Sequence, residues 1–151
     1  MLYHAYYSRE HQTEYKDALL TTLASNDDEG VTIPCGALVV VLYNLAKFIA
    51  AFKPKFIAVA FDFGKITFRN DLYPEYKQNR KETPHDMAPL FSLCFSLFQS
   101  AGCCCIQVKG FEADDVMASI DHLAKDYGMR KIVHVSVDKD VLQLLDGWTD
   151  G

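Results

Sequence analysis

Three β-forming runs in this chain each end on acidic residues, and helical stretches lie between them. Lys55-Phe-Ile-Ala-Val-Ala-Phe61 runs into Asp62, Cys103-Cys-Cys-Ile-Gln-Val108 leads to Glu112-Ala-Asp114-Asp115, and Lys131-Ile-Val-His-Val-Ser-Val137 runs into Asp138-Lys139-Asp140. Strands alternating with helices imply βαβ units and a parallel sheet, because parallel neighbours need a crossover between them. Such a sheet gathers the C-terminal ends of its strands on one rim, where ligands bind. Asp62, Glu112, Asp114, Asp115, Asp138 and Asp140 would then share that rim. Paired carboxylates there repel by roughly 4 kcal/mol at about 4 Å with an effective dielectric near 20. A cation has to offset this, and hard oxygen ligands favour Mg²⁺ or Mn²⁺.

The remaining chain supplies the layers around such a sheet. Residues 1–7 are aromatic without a strand or cap signal. Residues 8–30 are polar and end in Ser25-Asn-Asp-Asp-Glu-Gly30, which predicts a surface loop with room for a short helix. Apolar spacing predicts a helix from Pro34 to about Phe52, closed by Pro54. Asn44 and Lys47 interrupt it, so it reads as a buried helix and not a membrane span. Further helices are expected over about 86–100, stopped by Gly102, over 112–127, stopped by Gly128, and briefly near 141–145. The stretch 63–84 is polar, aromatic and basic, with little core periodicity.

At 151 residues the chain is long enough for one domain with a real core, and half of it is hydrophobic. A net charge of −5 speaks weakly against nucleic acid, but an acidic rim masks any local basic patch. Five cysteines, three of them consecutive, form neither a disulfide framework nor a zinc pattern; they read as small core residues in a reducing compartment. No charged-then-apolar leader opens the chain. The expectation is an intracellular site, whether cytoplasm, nucleus or a DNA-containing organelle.

Each motif also has a plainer explanation. Acids in a first helical turn complement the macrodipole for about 0.3–1 kcal/mol each, but three within four residues exceed what capping needs. Asp138 suits an N-cap, and Asp62 suits a turn. Their coincidence at equivalent strand ends carries the weight. Asp62-Phe63-Gly64 matches the kinase magnesium tripeptide, yet no Gly-rich loop or His-Arg-Asp loop accompanies it, so that reading is rejected. Between Lys65 and Lys81, cations alternate with aromatics: Arg69, Tyr73, Tyr76, Lys77, Arg80, Lys81. A solvated face is the plain reading. The segment is too long for an ordinary βα turn, however, and Lys77, Arg80 and Lys81 would share a face if helical. Cations and stacking surfaces beside a carboxylate centre suit a single-stranded nucleic acid.

These residues resemble the 5′–3′ exonuclease and flap-endonuclease family, in the N-terminal module found at the front of bacterial DNA polymerase I. The resemblance rests on Asp62, Thr67-Phe68-Arg69 through Leu72-Tyr73-Pro-Glu-Tyr76-Lys77-Gln-Asn-Arg80, Lys109-Gly-Phe-Glu112-Ala-Asp114-Asp115-Val116, and Asp138-Lys-Asp140-Val-Leu-Gln-Leu144. It covers roughly residues 31–147. It implies an α/β fold, a three-layer PIN-like nuclease domain on a parallel sheet, with an arch or clamp at about 63–84. It implies Mg²⁺ or Mn²⁺, two ions in the complete protein, held by Asp62, Glu112, Asp114, Asp115, Asp138 and Asp140. Lys77 and Arg80 would meet the scissile phosphate, with Asp62 and Asp115 sharing the catalysis. Arg69, Tyr73, Tyr76 and Lys81 would join them on DNA with a free 5′ end or 5′ flap, or on an RNA primer strand. No membrane is implied, and a monomer is expected.

Family members open with a strand ending in Val-Asp-Gly and close with a helix–hairpin–helix region. This sequence begins after the first and stops before the second. The expectation is therefore a partial domain over 1–151, lacking the family's first, central strand and of doubtful activity alone. Two rival readings differ in class. A catalytically incomplete nucleic-acid-binding remnant would keep only the arch, and upstream coding sequence would separate it from the enzyme. A metal-dependent phosphohydrolase or receiver-like domain leaves the Tyr73–Arg80 segment unexplained, and small phosphomonoesters tested against 5′-flap DNA would expose it.

Overall fold

Elements follow from local chemistry in two compact units, one built from residues 1–57 and 81–102, the other from 58–80 and 103–151. The computed structural model describes Leu2, Ala5, Tyr6 and residues 19–22, 31–80, 82–85 and 87–145.

In the first unit, β1 (Leu19–Thr22) and β2 (Val31–Pro34) pair antiparallel, with Leu20 opposite Ile33 and Thr21 opposite Thr32. Residues 19–22 were expected to lie in a loop. Threonine, valine and isoleucine suit an extended backbone, and four residues are too short for alternation to announce a strand. The helix expected from Pro34 is α1 (Gly36–Phe52). Lys53 ends it in a left-handed conformation, φ 45°, donating its N–H to Ile49 O, and Pro54 prevents continuation. Only its first turns are buried, at Gly36, Ala37, Leu38, Val40 and Val41; Tyr43, Ile49 and Phe52 are exposed. The expectation of a buried helix therefore holds for its N-terminal half alone. The other long helix of this unit, α3 (Ala88–Ser100), starts with Pro89 in its first turn and buries Leu90, Cys94 and Phe98. Leu2, Ala5, Tyr6 and Met87 add to the buried apolar set. Asp86, placed at the start of this helix from sequence, lies outside the described residues.

In the second unit, β3 (Ala58–Phe61) pairs parallel with β4 (Cys104–Gln107), Val59 opposite Cys105 and Ala60 opposite Ile106. This is the small parallel sheet the alternating pattern implies. Each strand is shorter than its apolar run. The amphipathic helix α4 (Ala113–Asp126) packs on both strands and on a 3-10 helix, Lys139–Leu144. Gly110 precedes α4 with φ 85°, a backbone that only glycine adopts without strain, and Gly128 follows it at φ 75°. Residues 131–137 are a correction: no strand is assigned there among the described residues. β-Branched residues favour an extended path, but a strand also needs a ladder partner.

The basic segment folds as a short helix, α2 (Phe68–Leu72), followed by successive turns over 74–79. Asn70 Oδ1 accepts from the Thr67 N–H at the start of α2, while the buried Thr67 hydroxyl has no partner among the described residues. Lys77 and Arg80 thus do not lie on one helical face, as helical spacing had suggested. Proline and left-handed Lys77 set the turns. Among the described residues no helix is long and apolar enough to cross a membrane.

Candidate functional site

A βα connection brings the carboxylates together. Asp62 follows the last residue of β3, and its Oδ1 accepts the N–H of Ala113, the first residue of α4, at 2.8 Å. Gln107, ending β4, donates its side-chain amide to Asp62 O at 3.2 Å. The open donors of a helix N-terminus favour negative charge, and here the carboxylates of Asp62, Glu112 and Asp115 meet them, with Asp114 in the same turn. Asp115 also turns back to accept the Glu112 N–H at 2.9 Å.

The basic segment meets the same end of α4. Phe68 N–H donates to Gly110 O at 2.9 Å, and the rings of Phe68 and Phe111 stand 5.5 Å apart. Anchored so, Arg69 donates both guanidinium nitrogens to Asp115, each at 2.7 Å. Such a two-pronged, charge-assisted pair fixes both groups in orientation. The hydrogen bonds from Arg69 hold the Asp115 carboxyl below the usual carboxylate range, and Asp115 in turn raises the Arg69 guanidinium. Lys77 Nζ reaches Glu112 Oε1 at 2.8 Å, and the Tyr76 hydroxyl donates to Glu112 Oε2 at 3.3 Å. Arg69 and Lys77 both stand over the Tyr76 ring, at 5.9 and 5.0 Å from its centroid. Lys77 does so from a left-handed backbone, φ 58°. A strained non-glycine residue costs about 1 kcal/mol or more and tends to occur where function fixes the chain.

Asp114 is placed differently. Burial pushes its carboxyl up, and the neighbouring charges of Asp138, Asp62 and Glu112 push it further; Lys77 acts the other way. Four of the six expected carboxylates therefore share one electrostatic neighbourhood. Asp138 caps the 3-10 helix, its Oδ1 accepting the Asp140 N–H at 3.0 Å.

Of the sequence-expected residues, Asp62, Arg69, Tyr76, Lys77, Glu112, Asp114, Asp115 and Asp138 lie in this cluster. Tyr73 donates its hydroxyl to Glu75 at 2.9 Å, and Arg80 and Asp140 are exposed. Lys81 lies outside the described residues. The donors suit a hard divalent ion by chemistry, and the repulsion at Asp114 is of the kind a cation relieves. Among the described residues no three such groups converge closely enough to enclose a metal. Sequence reasoning missed the Arg69–Asp115 pair; Arg69 had been assigned to DNA and Asp115 to metal, and no spacing rule joins residues so far apart. It also missed Asp121, buried with 6% of its surface exposed, which takes Lys125 on one side and His134 on the other.

The sequence profile described as 5'-3' exonuclease, N-terminal resolvase-like domain matches residues 1–149. The chain is 41% identical over 98 residues to a DNA polymerase I of Chloroflexus aurantiacus, 65% of this chain and 10% of that protein. Against a DNA polymerase I of Streptococcus pneumoniae it is 39% identical over 97 residues, 64% of this chain and 11% of the relative. A 5'-3' exonuclease of Buchnera aphidicola is 35% identical over 113 residues, 74% of this chain and 39% of the relative. The matched region thus spans well under half the length of these curated relatives.

Proposed function

This chain belongs to the family of 5′–3′ exonuclease N-terminal, resolvase-like domains, and from that membership we propose that it hydrolyses DNA phosphodiesters at 5′ ends, including 5′ flaps, with a divalent metal. A role in replication or repair follows from that substrate, with an RNA primer strand as a related one. The observation that carries the reading is the half-buried Asp114, under the charges of Asp138, Asp62 and Glu112, beside a Lys77 ammonium held 2.8 Å from Glu112. Cation-binding carboxylates and a phosphate-binding cation thereby adjoin.

Asp114 would hold the metal first, with Asp62, Asp138 and Glu112 drawn toward it from positions that do not yet enclose one. The chemistry that bound Mg²⁺ or Mn²⁺ supplies is a water of lowered pKa and charge neutralisation on the phosphate oxygens. Lys77 stabilises charge developing on the scissile phosphate, and Arg80 binds the neighbouring phosphate. Tyr76 and Tyr73 offer faces on which unpaired bases stack. Arg69 keeps Asp115 oriented and leaves the Lys77–Glu112 contact in register.

Cleavage of 5′-labelled flap DNA by the full-length protein tests this. Cleavage should stop on chelation, and Lys77→Ala should lower kcat by about 10²–10³-fold, the usual loss for one oriented charge stabiliser. Arg80→Ala should raise KM. Unchanged cleavage in both variants would make the segment an ordinary solvated turn.

A further inference from the structure

Residues 131–137 lead directly to Asp138, yet no strand ladder holds them among the described residues. A side-chain tie is present instead. His134 Nε2 lies 2.9 Å from Asp121 Oδ1, with 12% and 8% of the two side chains exposed. Asp121 also pairs with Lys125 one turn further along α4.

The spacing relates this tie to the acidic cluster. Asp121 follows Asp114 by seven residues, two helical turns, and so shares its face of α4. That separation is about 10 Å at a rise of about 1.5 Å per residue. From His134 to Asp138 the chain bends at Val137, and its four residues can cover at most about 13 Å. That reach covers the helical separation, so a segment fixed at His134–Asp121 can bring Asp138 level with Asp114. Asp114 does feel the Asp138 charge, and the 3-10 helix after Asp138 packs on α4 with Val141 buried.

We propose that Asp121 and His134 form a positioning pair that sets Asp138 opposite Asp114, and so tunes the metal affinity of the site. The inference rests on the metal-dependent reading above. It assigns neither residue to contact with metal or substrate. Removing His134 leaves Asp121 paired with Lys125, so His134 is the better residue to change.

The experiment measures Mn²⁺ binding to the full-length protein by calorimetry, beside flap cleavage as a function of Mn²⁺. His134→Ala should weaken Mn²⁺ binding by about 10- to 100-fold, the usual consequence of losing a residue that orients a ligand. Its half-maximal Mn²⁺ for cleavage should rise in parallel, with kcat recovering at saturating metal. His134→Gln, whose amide can donate to Asp121 Oδ1, should restore affinity. The control is His122→Ala on the same helix. Its partner Asp126 is 3.7 Å away, with side chains 82% and 63% exposed, and binding and cleavage should not change. Should His134→Ala lose its cooperative unfolding transition, His134→Leu refills the volume without the contact and carries the same expectation. Native Mn²⁺ affinity in the folded His134 variant overturns the inference, as does an equal loss in His122→Ala. Asp114→Asn separates the two levels. If it binds Mn²⁺ as the native protein does, the metal reading itself falls; if it loses Mn²⁺ while His134→Ala does not, only the positioning pair falls.

Discussion

Lys77 combines a strained backbone with two favourable side-chain contacts, and substitutions can separate them. Glycine at this position relieves the left-handed φ of 58°, whereas alanine keeps it. Both remove the ammonium from Glu112, an ion pair whose side chains are 29% and 12% exposed and which contributes no more than about 1 kcal/mol. Lys77→Gly should therefore be more stable than Lys77→Ala by about 0.5–1 kcal/mol in urea unfolding, after the extra chain entropy of glycine is counted. Both should be equally poor at cleavage. Equal stability would show that the turn does not need its left-handed residue. Arg69 poses a different question. Its planar fork matches the Asp115 carboxylate at two 2.7 Å contacts, which a lysine ammonium cannot reproduce. Arg69→Lys should cost about 1 kcal/mol, a modest figure because the pair is partly exposed. It should also leave Asp115 free to turn toward the other acids. An unfolding midpoint equal to the native one would reduce Arg69 to a surface cation.

At the scale of elements, what could be read from the chain depended on whether a residue's environment is set locally. The helices were legible because prolines, glycines and apolar spacing act within a turn or two: Pro54 after Lys53, Gly102 after α3, Gly128 after α4. The strands β3 and β4 were legible from their apolar runs, though their ends were not, because ladder length depends on the partner. The two failures among the strands are both of pairing. Leu19–Thr22 becomes a strand only because Val31–Pro34 lies opposite it, and Lys131–Val137, a stronger β-former, finds no described partner. The acidic cluster was legible since each acid follows a run that ends near one place. The Arg69–Asp115 and Asp121–His134 pairs were not, being contacts across the fold without a spacing rule. One local device also offers a test. Lys53 closes α1 from a left-handed backbone, φ 45°, where glycine is the preferred residue. Lys53→Gly should stabilise the protein by about 0.5–1 kcal/mol in thermal unfolding and leave flap cleavage untouched, since the change lies at the end of a helix outside the acidic cluster. A loss of stability would mean that the lysine side chain contributes more there than its backbone costs.

For the molecule as a whole, the two neighbouring aspartates at the start of α4 make opposite demands on pH. Arg69 holds the Asp115 carboxyl low, so its contribution to stability is present above the carboxylate's unfolded pKa and is lost as pH falls through its lower folded value. Asp114 is pushed up by burial and by Asp138, Asp62 and Glu112. Its favourable, protonated form is present below the unfolded pKa and is lost as pH rises through the higher folded value. Without metal, stability should therefore rise slightly as neutral pH is lowered toward the carboxylate range, then fall once Asp115 protonates. Asp114→Asn should remove the first rise and stabilise the metal-free protein at neutral pH, as expected of a proposed metal-site residue whose charge costs stability. Mg²⁺ should reverse this order. A metal that binds only the folded state adds about 2.7 kcal/mol at a concentration of 100 Kd, and it needs Asp114 charged. The native protein should then gain in unfolding temperature on Mg²⁺ addition at neutral pH, lose that gain as Asp114 protonates, and lose it wholly on chelation, while Asp114→Asn should gain little at any pH. Circular dichroism melts over pH with and without Mg²⁺ measure all of these curves. Superimposable curves with and without the ion would mean that the acids at the start of α4 repel one another for no metal at all.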